Sequence, residues 1–230
     1  MAIRTTMASA LMALLAGLAT AGEKVELKSE NDKLNYSVGY QLGGDFRRQD
    51  VEINPEIVVR GMQDAIAGEK PLMTPKEMRS TLAGLSQRVA ADKRDRHKQV
   101  AEQNLANGQA FLAENADKEG VKTTASGLQY KVIEAGSGES PKASDSVTVH
   151  YRGTLIDGTE FDSSYSRNKP ATFRVDRVIP GWTEALKMMK PGAKWQLFIP
   201  PGLAYGERGP GPIPPNSTLI FDVELISVGG

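Results

Sequence analysis

The sequence contains no cysteine and only two histidines, His97 and His150. Without a thiol the chain can form no disulfide, no Cys-ligated zinc site and no thiolate nucleophile. Two histidines so far apart in sequence also give no indication of a His-based metal site. We therefore expect a fold that is stable without disulfides and a function that requires no thiol.

The sequence also lacks an excess of either charge, because 28 Lys and Arg residues balance 28 Asp and Glu residues. A neutral chain of this kind has no electrostatic signature of binding to nucleic acid or to an anionic membrane. The apolar run from Met7 to Leu18 is shorter than the roughly 20 residues that span a bilayer. It lies between Arg4 and the small residues Ala19-Thr20-Ala21, so residues 1–21 are predicted to be a secretory signal peptide. The sequence thus predicts an exported protein without a transmembrane segment.

Residues 22–73 have the spacing of two amphipathic helices. The first follows an N-cap at Ser29, and the second runs from about Pro55 to Ala67. Apolar residues recur at helical spacing on the first helix, at Leu34, Val38, Leu42 and Phe46. Two short helices and the start of a third make a thin core, so we expect a second copy of the chain to complete it.

Residues 74–118 predict one long helix. It begins at a capping box, Thr74 to Glu77, and Gly84 and Gly108 interrupt it only weakly. The apolar spacing fades in the charged run Asp92–Lys98, which could be a binding patch or a solvated surface. Its mixed signs favour a solvated connection between two domains.

Residues 119–230 change to short alternating strands separated by Gly- and Pro-rich turns. One short helical run, Trp182 to Met189, interrupts them before Pro191-Gly192. The pattern predicts an α+β domain in which an antiparallel sheet packs on one short helix. We expect this segment to fold alone as a monomer when residues 22–118 are deleted.

The run Val178-Ile-Pro-Gly-Trp182 places apolar residues at a bend, where polar ones are usual. Trp182 could simply belong to the core. However, several aromatic residues also fall at strand ends or turns, and converging apolar residues with a few polar groups are typical of a small-ligand pocket. These residues are Tyr151, Phe161 beside Asp162, Tyr205 and Phe221. Neither a Ser-His-Asp arrangement, a phosphate-binding glycine loop nor a metal-ligand cluster is present, so no metal or cofactor is predicted.

Five motifs in this segment resemble, in order, those of the FKBP-type peptidyl-prolyl cis-trans isomerases. They are Val147-Thr-Val-His-Tyr-Arg-Gly-Thr-Leu155, Asp157-Gly-Thr-Glu-Phe-Asp-Ser-Ser164, Val178-Ile-Pro-Gly-Trp182, Gly202-Leu-Ala-Tyr-Gly206 and Ile213-Pro-Pro-Asn-Ser-Thr-Leu-Ile-Phe-Asp-Val-Glu-Leu225. The N-terminal part, with Leu34-Asn-Tyr-Ser-Val-Gly39 and Gly61-Met-Gln-Asp-Ala65, resembles the macrophage infectivity potentiator (Mip) subgroup.

The resemblance implies an FKBP-like half-barrel of antiparallel strands wrapped on a short helix in residues 119–230. The long helix of residues 74–118 would join this domain to an all-α dimerisation domain in residues 22–73. The subgroup consists of exported bacterial homodimers, so we expect a periplasmic protein, with outer-membrane association or the cell surface as alternatives. Proline-containing polypeptides are the implied clients, and macrolide-type inhibitors of the family are implied ligands.

The resemblance also implies the roles of ten residues. Trp182 would form the floor of the pocket, Asp162 and Tyr205 would act in catalysis, and the backbone N–H of Ile179 would hold a substrate carbonyl. The remaining residues would form the walls, namely Tyr151, Phe161, Phe173, Val178, Ile213 and Phe221.

Several alternatives stay open at this point. The phenylalanines could belong to the sheet core, Asp162 could cap a turn, and Arg167 could either pair with Asp162 or lie in solvent. Ala171 stands where many eukaryotic relatives carry an aromatic residue, and the loop of residues 207–212 is one residue shorter than in small single-domain relatives. A different class of function is a dimeric holdase chaperone in which isomerisation is incidental.

Overall fold

A computed structural model describes residues 26–229. The predicted signal peptide, residues 1–21, lies outside these residues. The chain divides into two compact units, the first ending at Glu77 and the second beginning at Met78. Within the described range, none of the helices combines the length and the apolar character needed to cross a membrane.

The first unit contains the two predicted helices, α1 (Glu30–Arg48) and α2 (Pro55–Ala67). Ser29 and Asp32 form a reciprocal capping box on α1, and the side chain of Asn54 caps α2. Neither helix buries a residue in the single chain. Large apolar side chains are therefore left exposed on this unit, among them Leu34, Val38, Tyr40, Ile57 and Ile66.

The third helix, α3, extends from Pro75 to Ala116 and is continuous through both glycines. Thr74 and Glu77 form its predicted capping box. The charged run of residues 92–98 is exposed, as expected of a solvated segment. The later part of α3 differs from this expectation, because Ala101, Gly108 and Asn115 are buried. This part of the helix packs on the strand-rich segment, with the phenyl ring of Phe111 6.0 Å from that of Phe198.

The strand-rich segment of the described chain forms one antiparallel sheet in the order β1-β2-β6-β7-β3-β4, and β5 pairs with the same edge of β3 as β4 does. The short strand β1 was not predicted from the sequence. The seven strands are β1 (Val121–Thr123), β2 (Gln129–Glu134), β3 (Ser146–Leu155), β4 (Glu160–Ser163), β5 (Ala171–Arg174), β6 (Lys194–Ile199) and β7 (Leu219–Gly229).

The short helix α4 (Pro180–Leu186) packs on this sheet and closes its core. Short 3-10 turns occur at Val175–Arg177, Pro201–Leu203 and Gly206–Arg208. Alternate residues of β3 and β7 point into the core, as their sequence pattern predicts. The predicted α+β class, with an antiparallel sheet on one short helix, is confirmed.

Candidate active site

An open cavity of about 390 Å³ lies between α4, the sheet and the loop that follows β6. Its lining includes every residue predicted for the site except Ile213, which is buried in the core. Arg177 also lines the cavity and was not predicted. The lining residues are Tyr151, Phe161, Asp162, Phe173, Arg177, Val178, Ile179, Trp182, Tyr205 and Phe221.

The indole of Trp182 lies at the centre of the aromatic lining and is only 4% exposed. The rings of Tyr151, Phe173 and Phe221 stand nearly perpendicular to it, at centroid distances of 5.4, 5.9 and 5.2 Å. Such edge-to-face contacts are favourable for aromatic pairs. The three rings belong to β3, β5 and β7, so three separate strands hold the indole in one orientation.

The sequence around Trp182 explains how the indole reaches this position. Pro180 occupies the first turn of α4, where its missing N–H leaves no helical hydrogen bond unmade. A side chain at Gly181 would meet Cγ2 of Ile199 at 2.5 Å, so only glycine allows α4 to lie this close to β6. The tight packing of α4 therefore positions the indole that follows.

Gly153 has a similar role beneath the wall of the cavity. It lies on β3 between Asp162 of β4 and Phe221 of β7. A Cβ at this position would lie 2.7 Å from ring atoms of both Phe161 and Phe221. The absence of a side chain lets these two rings pack edge to face, 5.5 Å apart, across the strand.

The polar group of the site is a network of Tyr151, Asp162 and Arg167. The hydroxyl of Tyr151 donates to Oδ2 of Asp162 at 2.5 Å, and Nη1 of Arg167 donates to Oδ1 at 2.6 Å. Nη2 of Arg167 also donates to the hydroxyl oxygen of Tyr151 at 2.8 Å. Arg167 is thus paired with Asp162, and both carboxylate oxygens are held by donors.

These contacts determine the protonation states of the network. Burial acts to raise the pKa of Asp162, but the hydrogen bonds from Tyr151 and Arg167 outweigh it and the pKa lies below its ordinary value. Burial and the bond to Asp162 raise the pKa of the Tyr151 hydroxyl. At neutral pH the network therefore consists of a carboxylate, a guanidinium and a neutral phenol.

Two further groups at the cavity have unused hydrogen-bonding capacity within the described residues. Tyr205 is 41% exposed, and its hydroxyl bonds to no group among residues 26–229. Burial and the charge of Asp162 raise the pKa of Tyr205, so this hydroxyl stays protonated as a donor. The backbone N–H of Ile179, just before α4, donates to no backbone acceptor in this range.

The described part of the chain contains no cluster of three or more acidic or histidine side chains that could hold a metal ion. The cavity itself contains no serine, cysteine or lysine nucleophile. It offers an apolar surface for a ring-sized group and a few polar groups at its border. This arrangement suits binding and desolvation of a substrate bond better than covalent chemistry.

Sequence reasoning found the aromatic lining but missed Arg177 and the role of Gly153. Arg177 lies immediately before the Val178–Trp182 run, so its proximity to the pocket was available as a signal. Gly153 could not be interpreted, because its contacts are with rings eight or more residues away in sequence.

Comparison with protein-family models identifies two matches along the chain. Residues 137–226 match the model of the FKBP-type peptidyl-prolyl cis-trans isomerase, and residues 31–132 match the domain amino terminal to it. The cavity residues all lie within the first of these two ranges.

Individual proteins are similar over nearly the whole chain. The peptidyl-prolyl cis-trans isomerase Mip of Coxiella burnetii is 51% identical over 91% of this chain and 91% of its own. The outer membrane protein MIP of Legionella longbeachae is 47% identical over 96% of this chain and 95% of its own. The crystal structure of FkpA from Escherichia coli superposes with a TM-score of 0.73 at 44% identity, covering 89% of this chain and 99% of the other.

Proposed function

This chain belongs to the Mip-like FKBP-type peptidyl-prolyl cis-trans isomerases and accelerates rotation about X–Pro bonds, and we propose that it does so in the aromatic cavity around Trp182. The observation that carries this proposal is the buried indole, held by three nearly perpendicular rings in the lining of a cavity that contains no serine, cysteine or lysine. The reaction requires only rotation, so a site without a nucleophile is sufficient.

The chemistry follows from the electronic structure of the amide. The planar bond is stabilised by resonance, and rotation crosses a barrier of roughly 18–20 kcal/mol. Twisting the bond reduces the charge separation of the amide. The twisted state therefore loses less hydration free energy than the planar state when water is removed. A cavity lined by aromatic rings therefore lowers the barrier by favouring the twisted bond over the planar one.

The proline ring is proposed to lie against the indole of Trp182, because this is the largest flat apolar side chain in the lining of the cavity. Phe161, Phe173, Val178 and Phe221 then surround the ring. The N–H of Ile179 and the hydroxyl of Tyr205 are proposed to donate to the substrate carbonyls on either side of the bond, since neither donor is used within residues 26–229.

Asp162 is proposed to act as a fixed negative charge. Both of its carboxylate oxygens already accept hydrogen bonds from Tyr151 and Arg167, and its pKa is lowered, so it is poorly suited to take a proton. A charge held in this geometry can favour the polarity of the twisted amide without reorganisation during the reaction.

The site assignment can be tested by titrating a short peptide with an apolar residue before proline and following amide resonances. We expect shifts at Ile179, Trp182 and Tyr205, and a matched peptide with alanine in place of proline should leave them unchanged. Shifts confined to residues outside the cavity would contradict the assignment.

The protein is proposed to assist the folding of exported proteins, acting as a homodimer. Support for the dimer is the exposure of large apolar side chains on α1 and α2, which a second copy would cover. Export is supported by the name of one relative, the outer membrane protein MIP, which is similar over most of the chain. A periplasmic location is proposed from the signal peptide predicted in residues 1–21. Unfolded segments that contain proline are the proposed clients.

Sedimentation velocity tests the dimer. The chain lacking the signal peptide should sediment as a dimer, and residues 97–230 alone should sediment as a monomer. A cut at residue 97 is preferable to one at residue 119, because the later cut removes the contacts of Phe111 with Phe198 and of Asn115 with Gln129. We expect a fragment of residues 119–230 to be less stable by about 2–4 kcal/mol, which urea unfolding would measure.

A further inference from the structure

We propose that one face of α3 positions the loop that carries Tyr205. The face consists of His97, Ala101, Asn104 and Gly108, and the loop, here named the Tyr205 loop, comprises residues 204–218. This inference rests on the proposed role of Tyr205 in the isomerase site. It assigns a catalytic consequence to a helix that contributes no residue to the cavity lining.

The four residues follow each other at alternating intervals of four and three, so they form a single stripe along the helix. Along residues 97–108, apart from Ala101, Asn104 and Gly108, the helix is exposed. Each member of the stripe contacts the Tyr205 loop, and none does so through a large apolar side chain. The helix and the loop are therefore joined by specific polar contacts and close approach.

Two of these contacts connect the helix to the two residues that follow Tyr205, Gly206 and Glu207. Nε2 of His97 is 3.0 Å from the carbonyl oxygen of Glu207. The side-chain amide of Asn216 donates to the carbonyl of Ala101 at 3.4 Å, and its backbone N–H donates to the carbonyl of Gly206 at 2.8 Å. Asn216 thus connects the helix directly to the residue that follows Tyr205.

The other two contacts hold the far end of the loop. Nδ2 of Asn104 donates to the carbonyl of Pro215 at 2.8 Å. A Cβ on Gly108 would overlap Oγ1 of Thr218, so the helix approaches the Thr218 side chain more closely than alanine would permit while that hydroxyl is in place. Oγ1 of Thr218 is buried against the helix and has no partner in the described chain. Glycine in a helix interior costs about 1 kcal/mol relative to alanine, and here it allows this approach.

The test replaces Gly108 by alanine in the whole chain. The new methyl group displaces the loop from α3, and we expect the amide resonances of Tyr205 and Gly206 to shift and kcat/KM for a proline peptide to fall about 3- to 10-fold. The matched control is Gly84→Ala in the same helix, where a Cβ meets nothing within 4 Å, and this variant should retain wild-type activity.

A second substitution separates positioning from general damage. Thr218→Ala removes the oxygen that the new methyl group would overlap, leaving only a tight contact of 3.3 Å to Cβ. The double variant should therefore regain most of the activity and the original resonances of Tyr205, while Thr218→Ala alone stays close to wild type. Unchanged resonances and activity in Gly108→Ala, or no recovery in the double variant, would overturn the proposal.

If Gly108→Ala fails to fold, Asn104→Ala gives the same test. Its control is Gln103→Ala, because the side chain of Gln103 donates to Asn107 on the same helix and makes no other hydrogen bond in the part of the chain that the structure describes. Lower activity and shifted Tyr205 resonances in Asn104→Ala, but not in Gln103→Ala, would support the positioning role. Wild-type activity and resonances in Asn104→Ala would refute it. Wild-type activity in Asp162→Ala would instead overturn the proposed active site. The amide resonance of Tyr205 would still report whether α3 holds the Tyr205 loop.

Discussion

The hydroxyl of Tyr151 donates a 2.5 Å hydrogen bond to Oδ2 of Asp162, across from the 2.6 Å bond that Arg167 donates to Oδ1. Tyr151 therefore contributes to the site in two ways, with its ring against Trp182 and its hydroxyl on the carboxylate. The position of the negative charge depends on a residue whose ring also forms the wall.

Replacing Tyr151 by phenylalanine removes only the hydroxyl. The ring contacts remain, but Oδ2 of Asp162 loses its hydrogen-bond donor. The carboxylate can then rotate or take up a proton more readily. We expect kcat/KM for a proline peptide to fall about tenfold with little change in thermal stability. Tyr130→Phe is the matched control, since Tyr130 stacks on Trp195 outside the cavity and should tolerate the change. Equal activity in both variants would show that the hydroxyl is not needed.

The pH profile tests the state of Asp162. Its pKa is lowered in the folded protein, so the carboxylate and the stability it contributes persist above its ordinary pKa of 3.8 and are lost as pH falls through the lower folded value. The pKa of Tyr205 is raised above its ordinary 10.0, so its proton also remains. We expect kcat/KM to be constant from about pH 8 to about pH 5.

Arg167→Gln should shift the acidic limb of this profile. Without the guanidinium, burial raises the pKa of Asp162 with less opposition, so activity should begin to fall at a higher pH than in the wild type. An acidic limb at the same pH in both proteins would mean that Asp162 does not control the rate.

Gly153→Ala tests the aromatic wall. The added methyl group would lie 2.7 Å from the rings of Phe161 and Phe221, so these two cavity-lining rings must move. We expect a loss of about 1–3 kcal/mol in the free energy of unfolding and weaker binding of the proline peptide. In the control, Gly202→Ala, a Cβ meets nothing within 4 Å. Normal peptide affinity in Gly153→Ala would show that these rings do not shape the binding surface.

Local sequence patterns predicted much of the fold because they depend on neighbouring residues. The capping residues Ser29, Asn54 and Thr74 mark the starts of the three N-terminal helices, and the bend at Pro180-Gly181 marks the start of α4. The family resemblance brought together the residues of the cavity, which come from separate elements of the chain.

Contacts between distant and weakly apolar residues could not be predicted in this way. The stripe of His97, Ala101, Asn104 and Gly108 has no apolar periodicity, so the sequence pattern did not indicate that this part of the helix packs on another segment. Its partners lie more than a hundred residues later in the chain, and two of the four are backbone carbonyls, which no side-chain pattern reveals. The pairing of Arg167 with Asp162 depends on the conformation of the loop that follows β4, so the sequence alone left it open.

Rotation about X–Pro bonds is proposed to be accelerated in the cavity around Trp182. The most direct measurement is the NMR exchange rate between cis and trans isomers of a short proline peptide with wild type, Asp162→Ala and Tyr205→Phe. We predict fast exchange with the wild type and rates lowered about tenfold or more in each variant, while all three proteins remain folded. Wild-type rates in both variants would place catalysis outside this cavity and contradict the account.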